Sequence, residues 1–146
     1  KKITTVCDLL DAGADYYATN IDMVCPIEGG RYLPDCGSFA DMFECAVKRR
    51  PVFLGKPDRT MIDILAKREN VPYDQIAMVG DRIYTDTATA HNAGAFGVLV
   101  LSGETTLEVA EKVAEDARTN PAPEFFPPDI IVRDVKELGE LLLANR

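Results

Sequence analysis

The sequence predicts an α/β fold built on a largely parallel sheet, and three observations carry the prediction. Helix-period and strand-like segments alternate along the chain. The longest apolar runs, such as Phe96–Leu101, are strand-sized and fall far short of the ~18 residues a membrane span needs. Finally, the apolar segment Ile76–Val79 runs directly into a Gly80-Asp81 turn, and open parallel sheets bind ligands at such carboxyl ends of strands.

Taken in order, residues 3–12 set Ile3, Val6, Cys7 and Leu10 at helical spacing, and Gly13 stops that helix. Asp15–Thr19 reads as a short strand in which Tyr16 and Tyr17 alternate, so one of the two rings is buried. Asn20–Gly37 is rich in Gly, Pro and Asp and reads as a long irregular connection, a kind of segment that more often serves function than structure. Ser38 and Asp41 resemble a capping box ahead of Phe39, Met42, Phe43, Ala46 and Val47, which predicts an amphipathic helix over 39–49. Lys48-Arg49-Arg50 complement its dipole and Pro51 ends it. Val52–Gly55 is strand-like, and Lys56-Pro57 opens a helix whose inner face holds Met61, Ile62 and Leu65. A short helix from Asp86 to Asn92 follows the Gly-Asp turn and stops at Gly94. Gly97–Leu101 and Ile130–Val132 supply two further strands, separated by a helix over Thr106–Ala117 and by Asn120–Pro128, which holds four prolines. Asp134 and Glu137 cap the last helix.

A chain of 146 residues with 47% apolar content has enough length for a real core. Its formal charge of −8, with Lys48–Arg50 as the one basic cluster, argues against a nucleic-acid surface. Cys7, Cys25, Cys36 and Cys45 are too widely spaced for a zinc or redox motif, so reduced thiols and a cytoplasmic location are the expectation, with no membrane partner. His91, the one histidine, reads as exposed or supporting, and Phe125-Phe126 as the anchor of a proline-rich loop.

Chemistry concentrates in Met78-Val79-Gly80-Asp81-Arg82-Ile83-Tyr84-Thr85-Asp86. Asp81 projects from the end of a strand and Asp86 stands near the start of the next helix. Two hard oxygen ligands there suit Mg²⁺, which takes few carboxylates and keeps several waters. Gly55-Lys56-Pro57 adds a cation at a helix entrance, where an ammonium and the helix amino terminus both favour an anion.

The order Gly55-Lys56-Pro57, one helix, then a strand ending in Gly80-Asp81-x-x-x-Thr85-Asp86 resembles motifs three and four of the haloacid dehalogenase-like (HAD) phosphatases. The closer resemblance is to the capped NagD-like and para-nitrophenylphosphatase-like branch. Ala18-Thr19-Asn20-x-Asp22, Leu33-Pro34-x-Cys36-Gly37-Ser38 and Val98-Leu99-Val100-Leu101-Ser102-Gly103 extend the match nearly end to end. The resemblance implies Mg²⁺-dependent hydrolysis of small phosphorylated metabolites, of sugar-phosphate or nucleotide type. It implies that Lys56 is the motif-three lysine, Asp81 a metal ligand and catalytic residue, and Asp86 a support of the metal shell. Thr19, Asn20 and Asp22 match a cap-associated segment and become candidates for substrate binding.

No stretch reads as four apolar residues followed by D-x-D-G, the motif that carries the family's nucleophile, and the motif-two Ser or Thr has no match either. The resemblance therefore places residues 1–50 in the C-terminal half of a cap domain and 51–146 in the second half of a Rossmann-like core. It also implies an apolar sheet edge beside the strand ending at Asp81, covered by another part of the natural protein, by a complementing chain or in a homo-oligomer. The alternative reading is an inert truncated or domain-swapped assembly subunit.

Overall fold

The structure is a computed structural model that describes residues 1–144. The chain forms two compact units, Lys1–Gly55 and a second that begins at Lys56.

In the first unit, α1 (Lys2–Asp11) is followed by β1 (Tyr17–Ala18), a hairpin of β2 (Val24–Ile27) and β3 (Arg31–Pro34), α2 (Cys36–Val47) and β4 (Val52–Phe53). Leu10, Ala18, Ala40 and Phe43 are its buried apolar residues. Arg49 holds the end of α1 by donating to the carbonyls of Leu10 (3.0 Å) and Ala14 (3.2 Å). β1 and β4 pair in parallel, with Tyr17 opposite Val52, and Leu54 N donates to Ala18 O at 2.9 Å. That pairing ties residues 51–55 to the first unit, so the structural division falls after Gly55 rather than before Pro51. Tyr17 is 59% exposed, while Tyr16 packs edge-on against Phe43 at 6.2 Å and burial raises its hydroxyl pKa.

Two expectations change here. The stretch Asn20–Gly37 is not irregular throughout, because β2 and β3 pair antiparallel with Ile27 opposite Arg31, turned by Gly29 and Gly30 at φ 79° and 69°. Glycine takes positive φ at no steric cost, which suits both residues to the turn. The cap of α2 is Asp35, not Ser38: Asp35 Oδ1 accepts from Cys36 N at 2.7 Å, while the Ser38 hydroxyl donates instead to Met23 O.

The second unit runs α3 (Thr60–Glu69), a 3-10 turn at Tyr73–Gln75, β5 (Ala77–Gly80), a π-type turn at Ile83–Thr87, α4 (Ala88–Ala93), β6 (Phe96–Val100), α5 (Leu107–Thr119), β7 (Ile130–Val132) and α6 (Val135–Ala144). β5, β6 and β7 form one parallel sheet in that order. Neighbouring residues of a strand face opposite sides, so β6 is packed on both. Leu99, fully buried, clusters with Ile83 and Ala110, whereas Val98 and Val100 cluster with Val132 and Leu138. Ile62, Ile76 and Ala93 make a third cluster under α3 and α4. Phe125 packs on the Leu99 cluster, and Phe126 stacks on exposed His91 with ring centres 3.6 Å apart. Asp134 Oδ1 accepts from Glu137 N at 2.9 Å, so the cap anticipated for α6 is present.

The entrance of α3 lies later than Pro57. Asp58 Oδ1 accepts from Thr60 N at 2.8 Å, and the helix starts at Thr60. The Thr60 hydroxyl and then its backbone amide hold the Asp58 carboxyl below the ordinary carboxylate range. A lowered folded pKa means that this contribution is present above the ordinary carboxylate value and is lost as pH falls through the lowered one. Asp58→Ala is therefore expected to cost about 0.5–1 kcal/mol in urea unfolding at neutral pH. At pH values below the carboxylate range, parent and variant should unfold alike.

Candidate functional site

β5 delivers Asp81 at its carboxyl end and the π-type turn then carries Asp86 back toward it. Arg82 O accepts from both Asp86 N (2.9 Å) and Thr87 N (3.2 Å), which widens the helical turn, as single π turns at functional sites do. The buried Asp86 carboxylate is bracketed on both oxygens: Oδ1 meets Lys56 Nζ at 2.6 Å and Oδ2 accepts from Arg82 N at 3.1 Å. Its side chain is 5% exposed against 40% for Lys56, so the pair lies at the edge of the fold with the cation on the wetter side.

Asp81 is held differently. Its Oδ2 accepts from Glu104 N at 2.8 Å and its carbonyl from Thr105 N at 3.0 Å, so the loop between β6 and α5 closes over the end of β5. Asp81 Oδ1 has no hydrogen-bond partner among the described residues, and no three metal-binding side chains converge there. A half-exposed carboxylate with one uncommitted oxygen fits a hard, largely hydrated cation such as Mg²⁺ as a single protein ligand; the remaining positions fall to water, phosphate or other groups.

Two glycines make this geometry possible, and the sequence pattern marks neither as a point of contact with an acid. A Cβ on Gly80 would overlap the Asp86 carboxyl group, and one on Gly103 would overlap that of Asp81. Thr85 was likewise only a motif letter, yet its hydroxyl is buried with no hydrogen-bond partner among the described residues. The structure thus brings Lys56 onto Asp86 and joins Asp86 to the Asp81 turn through Arg82 N.

Thr19, Asn20 and Asp22 belong to the first unit, where each has a partner. Asn20 Oδ1 accepts from Asp22 N at 3.0 Å, Asn20 Nδ2 donates to Asp35 Oδ1 at 3.5 Å, and Thr19 Oγ1 lies 3.6 Å from Cys36 Sγ. All three therefore fasten or border the loop at the entrance of α2.

A family model described as HAD-hydrolase-like matches residues 53–138, more than half of the chain, and spans Lys56, Asp81 and Asp86. The chain belongs to the HAD-like hydrolases. Among its HAD relatives is the chloroplastic phosphoglycolate phosphatase 1A of Arabidopsis thaliana, 33% identical over 85% of this chain and 35% of the relative. Solved HAD structures similar to it include the 4-nitrophenylphosphatase of Thermotoga maritima, with TM-score 0.79, 35% identity, and coverage of 94% of this chain and 49% of that one. A putative NagD protein gives TM-score 0.72 and 34% identity, again over 94% and 49%. These neighbours put the α/β fold in the NagD-like and para-nitrophenylphosphatase-like branch. The chain spans about half the length of these two structures and about a third of the plant relative.

Removing the cation from a buried carboxylate leaves an uncompensated charge, which costs ~3–5 kcal/mol in a fully buried pair. The exposure of Lys56 moderates this, so Lys56→Ala should destabilise the protein by about 2 kcal/mol in urea. Asp86→Asn, which removes the charge itself, should cost less than Lys56→Ala.

Proposed function

We propose that the natural protein is a Mg²⁺-dependent phosphatase of small phosphomonoesters, of sugar-phosphate or nucleotide type, to which this chain contributes Lys56, Asp81 and Asp86. The observation that carries this reading is the 2.6 Å contact of Lys56 with Asp86, together with the Arg82 amide that ties Asp86 to the Asp81 turn. Phosphoryl transfer is governed chiefly by positioning and charge stabilisation, and these residues supply both. Asp86 fixes the Lys56 ammonium at the surface, where it can meet a phosphate. Asp81 offers one oxygen to a cation. When bound there, Mg²⁺ would neutralise phosphoryl oxygens. No apolar strand in these 146 residues ends in D-x-D-G, so this reading places the nucleophile outside them. The relatives support the reaction class: each of the two named enzymes is a phosphatase.

In this proposal residues 1–50 are the C-terminal half of a cap and 51–146 the second half of the core, and Thr19, Asn20 and Asp22 contribute to substrate choice. Four free cysteines support a reducing, cytoplasmic setting, and no helix among the described residues is long and apolar enough to cross a membrane. The open side of β5 favours a covering strand, from elsewhere in the natural protein or from a partner chain. Among the described residues β5 pairs only with β6, and a groove of about 260 Å³ lined by Met61, Ile64, Leu65 and Met78 runs beside it. The same edge favours the assembly-subunit alternative, in which no activity accompanies the chain.

Assay of the natural protein on an aryl phosphate tests the proposal. Turnover should require Mg²⁺ and fall at least about 10²-fold in Asp81→Asn, the scale expected when one electrostatic anchor of the transition state is removed. Turnover that is indifferent to both would refute it, and absence of turnover from the natural protein would favour the assembly reading.

A further inference from the structure

We infer that Glu104 is a positioning residue for the Asp81 carboxylate, and that its side chain selects which Asp81 oxygen faces the cation. The inference rests on the proposed role of Asp81 as the metal ligand, and it adds a residue that no motif of the chain includes.

Glu104 lies in the loop between β6 and α5, 23 residues beyond Asp81. Its backbone N–H occupies Asp81 Oδ2. Its carboxylate reaches residues one and three positions after Asp81: Arg82 Nε pairs with Oε2 at 2.7 Å, and Tyr84 O–H donates to Oε1 at 2.6 Å. Thr105 N donates to the Asp81 carbonyl, and Gly103 gives the loop its close approach. The loop is thus pinned to the Asp81–Tyr84 segment from its main chain and from one side chain together. Oδ2 is committed by this arrangement, which leaves Oδ1 for an incoming ligand.

Magnitudes separate this role from a merely structural one. The Glu104 side chain is 47% exposed and that of Arg82 23%, and an ion pair so accessible to water adds little to global stability. Groups that orient a metal ligand without touching the metal, by contrast, commonly change metal affinity by about 10–100-fold when removed. The loss of the Glu104 carboxylate should therefore register in cation binding and in the local opening of the loop, with little change in the unfolding midpoint.

The test uses the natural protein, Mn²⁺ followed by electron paramagnetic resonance as a spectroscopic substitute for Mg²⁺, and amide hydrogen exchange at residue 104. Glu104→Ala is expected to weaken Mn²⁺ affinity about tenfold and to speed exchange of that amide. Its urea midpoint should stay close to the parent's. Glu104→Gln should recover most of the affinity, because its amide oxygen still accepts from Tyr84. If Asp81→Asn abolishes Mn²⁺ binding while Glu104→Ala leaves it intact, the inference fails and the metal role of Asp81 stands. If Asp81→Asn has no effect on Mn²⁺ binding, the proposed function loses its metal ligand and the inference about cation presentation falls with it. In either case the exchange rate still reports on the latch: an unaltered rate in Glu104→Ala means that the side chain does not hold the loop.

Discussion

The buried carboxylate of Asp86 is the constraint around which the second unit organises its polar end. A charge with 5% of its side chain exposed is tolerable only when its oxygens are satisfied, and here one has the Lys56 ammonium and the other the Arg82 amide. Satisfying it fixes several other features. The turn at Ile83–Thr87 widens to bring the side chain back under its own backbone, and residue 80 must lack a Cβ to admit the carboxyl group. Lys56, which opens the second unit, is drawn to the carboxyl end of β5 by the same charge. The apolar packing of Ile83 with Leu99 and Ala110 then anchors the turn to the sheet.

Asp81 contrasts with its neighbour in how it is restrained. Asp86 is neutralised by a cation, while Asp81 is oriented by neutral backbone amides from a distant loop and keeps access to solvent. The two acids are therefore not interchangeable. One is spent on holding a lysine; the other keeps one oxygen without a hydrogen-bond partner among the described residues. The surroundings thus differ for two residues that the spacing of the motif presents as a pair.

Much of this was legible in the sequence, and the failures have identifiable physical causes. The strand ending at Gly80, the strands of β6 and β7, the helix stop at Gly94 and the Asp134–Glu137 cap are local signals, carried by runs of apolar residues or by caps three residues apart. The hairpin of β2 and β3 was hidden because Pro26 and Pro34 argue against strands, although both sit in a ladder of only two strands, where an unpaired edge tolerates them. Pro57 drew the start of α3 too early because proline favours the first helical position, but the Asp58 side chain satisfies the amide of Thr60 and sets the entrance there. The side-chain bonding of Asp86 and the role of Glu104 were out of reach for a different reason. Each depends on contacts between residues 23 to 30 positions apart, which periodicity and spacing do not encode.

The close fit of each acid against a glycine also limits how this stretch of sequence can drift. Gly80 and Asp86 share one small volume, and Gly103 and Asp81 share another. A side chain gained at either glycine would collide with the Cβ and carboxyl group of the acid, so neither glycine varies while its acid is kept. Over evolutionary time, positions 80 and 103 should stay glycine for as long as positions 86 and 81 carry any side chain, a stricter limit than the acids themselves face.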